Sequence, residues 1–192
     1  MPRFTRAQLE TYRDATLPDL IGDHVRLLFV GINPGLWTAA TQAHFARPGN
    51  RFYPALYRAG IVDRLIDASA GYTDADRQHL LDRGIGITNI VARATARADE
   101  LTTAELEAGG RTLMNRIESV APDVVAILGI TAYRTAFARP RTKAGRQPDT
   151  LAGATLWVVP NPSGLNAHSQ LDDLAAAYRE VAEAVGIATF FP

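Results

Sequence analysis

The sequence predicts an α/β fold of three layers, α/β/α, with a short and mainly parallel central sheet. Short apolar runs alternate with longer stretches of helical periodicity along the chain. The apolar runs are continuous, as expected of strands that are covered on both faces. A length of 192 residues and a hydrophobic fraction of 47% suit a single domain, residues 1–192, with a full core.

Four strands are predicted, and all four are apolar runs: "RLLFVG", "GIGITNIV", "DVVAILG" and "TLWVVP". Ligands of such sheets bind beyond the carboxyl ends of the strands. The loops that leave those ends are "GINPG", "VARAT", "GITAY" and "NPSGLN". The first and last contain unusual combinations of Gly, Pro and Asn, so function is expected there.

Helices are predicted between the strands. The first lies within "FTRAQLETYRDATLPD" and stops before Pro18, since a residue before proline disfavours helical geometry. A long helix opens at Thr102, because Glu105 completes a capping box, and extends to about Ser119. The others are predicted at about Arg51–Ala59, about Thr73 to Asp82, "ITAYRTAFA" and "SQLDDLAAAYREVAEAV", with an irregular loop from Gly31 to about Asn50.

Composition excludes several classes of protein. Twenty basic and twenty acidic residues exclude a uniformly basic protein that coats nucleic acid, although a local basic patch remains compatible. Without cysteines there can be no disulfide, zinc-thiolate site or Cys nucleophile. The four histidines show no metal-ligand spacing, so no metal and no cofactor are expected. The chain contains no run long enough to span a membrane and no signal peptide, which predicts a cytoplasmic protein.

The stretch "GINPG", residues 31–35, follows the first strand directly. It lacks the G-x-G-x-x-G spacing of a dinucleotide fingerprint and the Lys-Ser/Thr pair of a P-loop. Two interpretations remain open. It is either a stiff turn between strand and helix, or a loop shaped to present Asn33 to a ligand.

The stretch "NPSGLN", residues 161–166, follows the fourth strand. Pro162 biases Asn161 towards extended geometry, and Ser163-Gly164 allows a tight turn that holds Leu165 outward. An exposed leucine at a loop tip is common and needs no explanation. On a stiffened loop beside a cleft, such a leucine can also act as a wedge in a DNA base stack.

In combination, "GINPGL", "FARPGNRFY", "GITNIVARAT" and "NPSGLN" resemble the mismatch-specific uracil-DNA glycosylases. These form the bacterial branch of the thymine/uracil glycosylase family, within the uracil-DNA glycosylase superfamily. The resemblance runs in order from about Leu27 to Val185. It implies a uracil-DNA glycosylase-like fold with strand order 2-1-3-4. It also implies base excision repair, in which uracil is flipped out of duplex DNA and its N-glycosidic bond is hydrolysed to leave an abasic site.

The resemblance assigns roles at the base-binding site. Asn33 would position the attacking water, which is sufficient if the base leaves first and the sugar becomes oxocarbenium-like. The leaving uracil anion then needs rigid backbone N–H donors. By resemblance these belong to Ile32, beside Gly31, and to Phe45. The Phe45 ring would stack on the flipped base, unless it is simply a core aromatic.

The resemblance also assigns roles in reading the mismatch. Asn161 stands where a related branch carries a catalytic His. It would hold substrate or phosphate through neutral hydrogen bonds, which predicts a slow enzyme. Gly164 and Leu165 would form the wedge. Backbone of the loop, including Ser163 and Asn166, would pair with the widowed guanine, which predicts a preference for G·U over A·U.

The chain departs from the family pattern after Leu165 and in "IVARAT". The expected Arg after the wedge is absent, and His168 is the nearest substitute. Relatives often carry an acid where this chain has Ala92, so Ala92 marks a lost or substituted catalytic acid. Natural variation and deliberate substitution both remain open. By the same resemblance, Thr38 falls at a small polar position that would help control entry of the thymine methyl group.

Basic residues suggest weak phosphate contacts. The run from Arg134 to Arg146 contains five basic residues and no acidic one, and Arg93 and Arg97 lie on another loop at the cleft. Such residues could neutralise DNA phosphates, with Arg93 and Arg134 as candidates. A solvated surface loop explains the 134–146 run equally well.

The sequence therefore predicts a monofunctional, cofactor-free DNA glycosylase that acts on uracil opposite guanine. Its expected partner is double-stranded DNA with uracil mismatches, without a membrane, and the protein is expected to be a monomer. One rival is a catalytically weak reader of mismatched or flipped bases. The other is an α/β hydrolase of free nucleosides or nucleotides.

Overall fold

A computed structural model describes residues 4–164 and 170–190 of the chain. Its centre is a five-stranded sheet with the spatial order β2-β1-β3-β5-β4. The strands are β1 (Leu27–Gly31), β2 (Ile85–Asn89), β3 (Val124–Leu128), β4 (Gly145–Leu151) and β5 (Ala154–Val159). The first three and β5 run parallel, and β4 is antiparallel to β5. The predicted α/β class and the order of the four predicted strands are both confirmed.

Seven α-helices flank the sheet within the described residues. They are α1 (Arg6–Glu10), α2 (Leu36–Thr41), α3 (Phe52–Arg58), α4 (Asp74–Asp82), α5 (Thr103–Val120), α6 (Ile130–Ala136) and α7 (Leu171–Ala184), with a short 3-10 helix at Ala98–Glu100. The predicted capping box opens α5, where Thr102 accepts from the Glu105 backbone and the Glu105 side chain accepts in return. No helix in the described part of the chain is long and apolar enough to cross a membrane.

Alternate residues of each strand face opposite layers, which explains the continuous apolar runs. Phe29 of β1 packs against Phe52 of α3 and Tyr178 of α7, with ring centroids 5.2 and 5.5 Å apart. Its neighbour Leu28 belongs to a second buried cluster that includes Leu113 of α5. The sheet is therefore covered on both faces, and its polar groups of interest emerge only at the strand ends.

Helix α2, strand β4 and the short 3-10 helix were not predicted. Helix α2 lies inside the stretch that was predicted to be an irregular loop. It was missed because six residues directly after Pro34 and Gly35 give too little periodicity to detect. Strand β4 contains Pro148 and mostly exposed residues, so it has no apolar run. It is an edge strand, where a proline is tolerated. Helix α1 is also shorter than predicted and ends at Glu10.

Candidate functional site

A cavity of about 140 Å³ lies at the carboxyl ends of the parallel strands. The loops after β1, β2 and β5 contribute to its lining, as the fold rule for such sheets requires. Of the residues predicted for the site, the lining includes Gly31, Ile32, Asn33, Thr38, Phe45, Asn161 and Ser163. Of those not predicted, it includes Asn89 and Thr95.

Backbone contacts fix the "GINPG" stretch along its length. Carbonyl oxygens of Gly31 and Ile32 accept from the N–H groups of Ile90 and Val91, at 2.9 and 3.0 Å. Farther on, the carbonyl oxygen of Pro34 accepts from the Thr95 N–H at 3.1 Å. The loop after β2 thus supports the loop after β1 almost residue by residue.

The side chain of Asn33 is oriented by two acceptors. Its Nδ2 donates to the carbonyl oxygen of Arg93 at 3.0 Å and to Thr95 Oγ1 at 2.7 Å. A carbonyl can only accept, so Nδ2 rather than Oδ1 must face Arg93. The Thr95 hydroxyl donates its own proton to the carbonyl oxygen of Arg97 at 2.7 Å, so it accepts from Asn33. Both Nδ2 protons of Asn33 are therefore hydrogen-bonded, and Oδ1 is the amide atom that remains to accept from a ligand.

Gly31 gives the cavity its width. A Cβ at this position would lie 2.5 Å from Asn89 Oδ1 and 3.2 Å from Phe45 Cζ. Asn89 is the residue of β2 that pairs with Gly31, and its side chain is buried. Only glycine lets the Asn89 amide and the Phe45 ring approach the same point of the β1 backbone.

The Phe45 ring forms one wall of the cavity. It stacks on Phe52 with ring centroids 4.1 Å apart and 28° between the planes. Phe45 has a φ of 56°, a backbone conformation that is uncommon for a residue other than glycine and is often found where function requires it. With one face on Phe52, the ring can offer the opposite face to a planar ligand.

Two peptide groups beside the cavity have carbonyl oxygens that accept hydrogen bonds from neighbouring residues. Tyr53 Oη donates to the His44 carbonyl oxygen at 2.9 Å, and Ile90 N–H donates to that of Gly31. In a trans peptide the N–H of the next residue points away from the carbonyl oxygen. The N–H groups of Phe45 and Ile32 therefore point away from Tyr53 and Ile90. Neither N–H has an acceptor among residues 4–164 and 170–190.

A buried histidine sets the orientation of Asn89. The carbonyl oxygen of Pro18 lies 3.1 Å from His44 Nε2, so Nε2 is the protonated nitrogen of the ring. His44 Nδ1 can then only accept, and Asn89 Nδ2 lies 3.4 Å from it. Burial lowers the pKa of His44 to about 4, which keeps the ring neutral at neutral pH. The Asn89 amide consequently turns its Oδ1 towards Gly31.

The loop after β5 is clasped by the segment before α3. Arg51 donates its backbone N–H to the Pro162 carbonyl oxygen at 3.0 Å and its Nη2 to that of Ser163 at 2.7 Å. The Ser163 N–H donates to Asn161 Oδ1 at 2.9 Å. A Cβ on Gly164 would lie 2.9 Å from the carbonyl oxygen of Gly49, so the two loops touch. Leu165, Asn166 and His168 lie outside the described residues.

Several predicted residues lie away from the cavity lining. Ala92 is exposed and does not belong to it. Arg93 donates from Nε to Glu105 at 2.5 Å and from Nη1 to Asp14 at 2.8 Å, and these partners raise the pKa of its guanidinium. Arg134 donates through Nε and Nη2 to the Thr142 carbonyl oxygen. A phosphate contact by Arg93 or Arg134 would have to form while the arginine keeps these hydrogen bonds. The phosphate contacts of both residues stay predictions.

Thr95 and Asn89 were missed because their signals are three-dimensional. Thr95 ends the "VARAT" stretch, which was already assigned to the cleft, but its role depends on Asn33, 62 residues away. Asn89 is a polar residue at the end of a buried strand, which alone could have marked it. No cluster of metal-ligating side chains occurs among the residues that the structure describes.

Comparison with known proteins gives two findings. A family model described as the uracil DNA glycosylase superfamily matches residues 18–184. The fold is similar to a solution NMR structure from Methanosarcina acetivorans of a protein provisionally described as a uracil DNA glycosylase, with a TM-score of 0.58 and 15% identity. That match covers 88% of this chain and 98% of the other. At this identity the structural likeness shows a shared fold.

Proposed function

This chain belongs to the uracil DNA glycosylase superfamily, and we propose that it flips uracil, preferably opposite guanine, out of duplex DNA and hydrolyses its N-glycosidic bond. Membership implies a DNA N-glycosylase, a hydrolase that acts on DNA. The preference for G·U, the base flipping and the roles of individual residues are parts of the proposal.

The orientation of Asn33 is the observation that carries the proposal. Because both Nδ2 protons are bound to Arg93 and Thr95, Oδ1 is held ready to accept a hydrogen bond from water. An amide is too weak a base to deprotonate water, so it orients the molecule. Orientation suffices when the bond to the base breaks first, because the oxocarbenium-like sugar that results reacts readily with a weak nucleophile.

The departing base becomes an anion and requires hydrogen-bond donors. We assign this role to the backbone N–H groups of Ile32 and Phe45, which have no acceptor within the described chain. Rigid backbone donors stabilise charge without reorganising during the reaction. The Phe45 ring would stack on the uracil, where such a contact contributes about 1–3 kcal/mol per base.

Asn89 supports recognition of a pyrimidine edge. His44 fixes the orientation of its amide, and the amide lines the cavity. An oriented amide offers a donor and an acceptor in fixed positions, so it can match the edge of one base and mismatch another.

The second strand of DNA would be read by the loop after β5. Arg51 holds the loop at Pro162 and Ser163, so Gly164 and Leu165 would enter the base stack from a braced support. Backbone of Ser163 to Asn166 would then contact the widowed guanine. A G·U wobble also costs less to open than a matched pair, which supports the same preference.

Single-turnover release of uracil from G·U duplex, A·U duplex and single-stranded oligonucleotides tests the proposal. We expect release from G·U to be fastest. Binding of G·U or abasic duplex without release would favour the rival function of a mismatch reader. That rival is motivated by Ala92, which stands where relatives often carry a catalytic acid. Release from free deoxyuridine at a comparable rate would favour a nucleoside hydrolase. An Ala92→Asp variant, run alongside, tests whether an acid at that position raises the rate.

A further inference from the structure

A second hollow adjoins the proposed base cavity. Its volume is about 230 Å³, and it lies between the loop before α3 and the loop after β5. Arg47, Pro48, Gly49, Asn50, Ser163 and Gly164 line it. Arg47, Asn50 and Ser163 also line the base cavity, so the two spaces share a wall. We call this second space the rim hollow.

Arg47 carries an unneutralised charge at this shared wall. Its side chain is exposed and has neither an acidic partner nor a hydrogen bond among residues 4–164 and 170–190. Arg97, the other arginine on the lining of the base cavity, is bound to Asp99 through Nε at 3.0 Å and Nη2 at 2.6 Å. Arg47 is therefore the guanidinium at the cavity mouth that remains available to an anion.

The backbone around the rim hollow is fixed in place. The Asn50 N–H donates to the Arg47 carbonyl oxygen at 2.9 Å, which closes a turn that contains Gly49 with a φ of 84°. Arg51, immediately after this turn, binds the loop after β5 as described above. Arg47 is thus attached to a short, closed turn between Phe45 of the base wall and the clasped loop.

We propose that the rim hollow is a phosphate-binding subsite, in which Arg47 binds a DNA backbone phosphate that flanks the flipped nucleotide. This inference rests on the proposed function. A base in the cavity leaves its sugar at the mouth, and the adjoining phosphate must lie beside that mouth. The two glycines leave the hollow free of side chains at these positions. A guanidinium can bind phosphate oxygens through two parallel N–H donors.

The phosphate contact has a distinctive signature in salt dependence. Each DNA phosphate that a protein neutralises adds about 0.9 to the slope of log K against log salt, because counterions are released. Phosphate contacts also carry little sequence information. Loss of Arg47 should therefore reduce the slope by about one and weaken binding to all duplexes to a similar degree.

The experiment measures dissociation constants for G·U and matched duplexes, and for a duplex with an uncleavable abasic analogue, across a series of KCl concentrations. Wild type, Arg47→Gln and Arg47→Lys are compared with Arg111→Gln. Arg111 of α5 is a suitable control because its side chain too is exposed and unpaired in the described chain, but it lines neither space and lies outside the basic run of residues 134–146. Thermal unfolding of each variant shows that the fold is retained.

We expect Arg47→Gln to bind the abasic duplex roughly tenfold more weakly near 0.1 M salt, with the slope reduced by about one. Arg47→Lys should keep most of the slope, and Arg111→Gln should match wild type. An unchanged slope in Arg47→Gln, while wild type still releases uracil, would overturn the phosphate subsite and leave the glycosylase proposal standing. A wild-type protein that neither releases uracil nor binds these duplexes would overturn both. Inhibition by inorganic phosphate at constant ionic strength, lost in Arg47→Gln without a change of slope, would assign the hollow to free phosphate and contradict the DNA contact.

Discussion

Thr95 Oγ1 accepts a hydrogen bond from Asn33 Nδ2 at 2.7 Å and donates its own proton to the Arg97 carbonyl oxygen at the same distance. This relay joins the loop after β1 to the loop after β2. It gives the amide of Asn33 one orientation, since a hydroxyl that has already donated can only accept from Nδ2. In the proposed reaction, Thr95 is a positioning residue that acts on water through Asn33.

Removal of the Thr95 hydroxyl should slow the chemical step. Thr95→Val keeps the branched shape, but Asn33 loses one of its two acceptors and its amide can rotate. We expect single-turnover uracil release to slow by roughly 10- to 100-fold, which is typical of a misplaced reacting group. The dissociation constant for abasic-analogue duplex should change little. Thr95→Ser retains the hydroxyl and should remain near wild type; equal slowing of both variants would contradict the relay.

An added methyl group at Gly31 should disturb the base site. The new Cβ would lie 2.5 Å from Asn89 Oδ1, so the Asn89 side chain must move. We expect Gly31→Ala to lose about 1–3 kcal/mol of stability through overpacking and to release uracil at least about tenfold more slowly. Gly35→Ala is the matched control on the same loop, because its Cβ would meet no atom within 4 Å. Indistinguishable release rates for the two variants would show that the cavity tolerates the methyl group.

The bond from Arg51 to Ser163 should matter for duplex substrates above all. Arg51→Gln removes the guanidinium donor to the Ser163 carbonyl oxygen but keeps the backbone bond to Pro162. A loosened wedge loop should slow release from G·U duplex by roughly tenfold and leave single-stranded substrate nearly unaffected. Leu165→Ala should shift the two rates in the same direction. A parallel fall on both substrates in Arg51→Gln would assign Arg51 to stability alone.

His44 should make the folded state sensitive to acid. Its pKa is lowered from 6.5 to about 4 by burial, so the unfolded chain takes up a proton at a higher pH than the folded chain does. Between pH 6.5 and pH 4 the unfolded state therefore binds more protons, and the free energy of unfolding falls as the pH falls. The slope from this group approaches about 1.4 kcal/mol per pH unit.

His44→Gln isolates that contribution. The glutamine amide can still donate towards the Pro18 carbonyl oxygen but does not titrate. Denaturant unfolding of both proteins between pH 4 and 7 should show the stability advantage of wild type shrinking as the pH decreases. Parallel curves would mean that His44 is not held neutral by its surroundings.

The sequence was sufficient where structure follows from local pattern. The buried strands were predicted from apolar runs, and the start of α5 was predicted from the capping box of Thr102 and Glu105. Helix α2 and strand β4 escaped detection, since a six-residue helix and a half-exposed edge strand leave weak patterns. Both lie in stretches rich in glycine, proline or charge.

The site was predictable only in part for a related reason. Loop chemistry pointed to Asn33 and to the stretch from Asn161 to Gly164. The partners that orient them are distant in sequence: Thr95 for Asn33, and Arg51 for the loop after β5. Strand register also decides which polar residue faces Gly31, and the register with Asn89 emerges only when the sheet is assembled.

The central claim is that Asn33 orients the water that completes hydrolysis in this cavity. The most direct measurement is single-turnover release of uracil from G·U duplex by wild type and Asn33→Ala, with binding of both proteins to abasic-analogue duplex measured in parallel. The account predicts that Asn33→Ala loses release by roughly 100-fold or more while its dissociation constant stays within a few-fold of wild type. Unchanged release by Asn33→Ala would contradict the role of Asn33 in positioning the water.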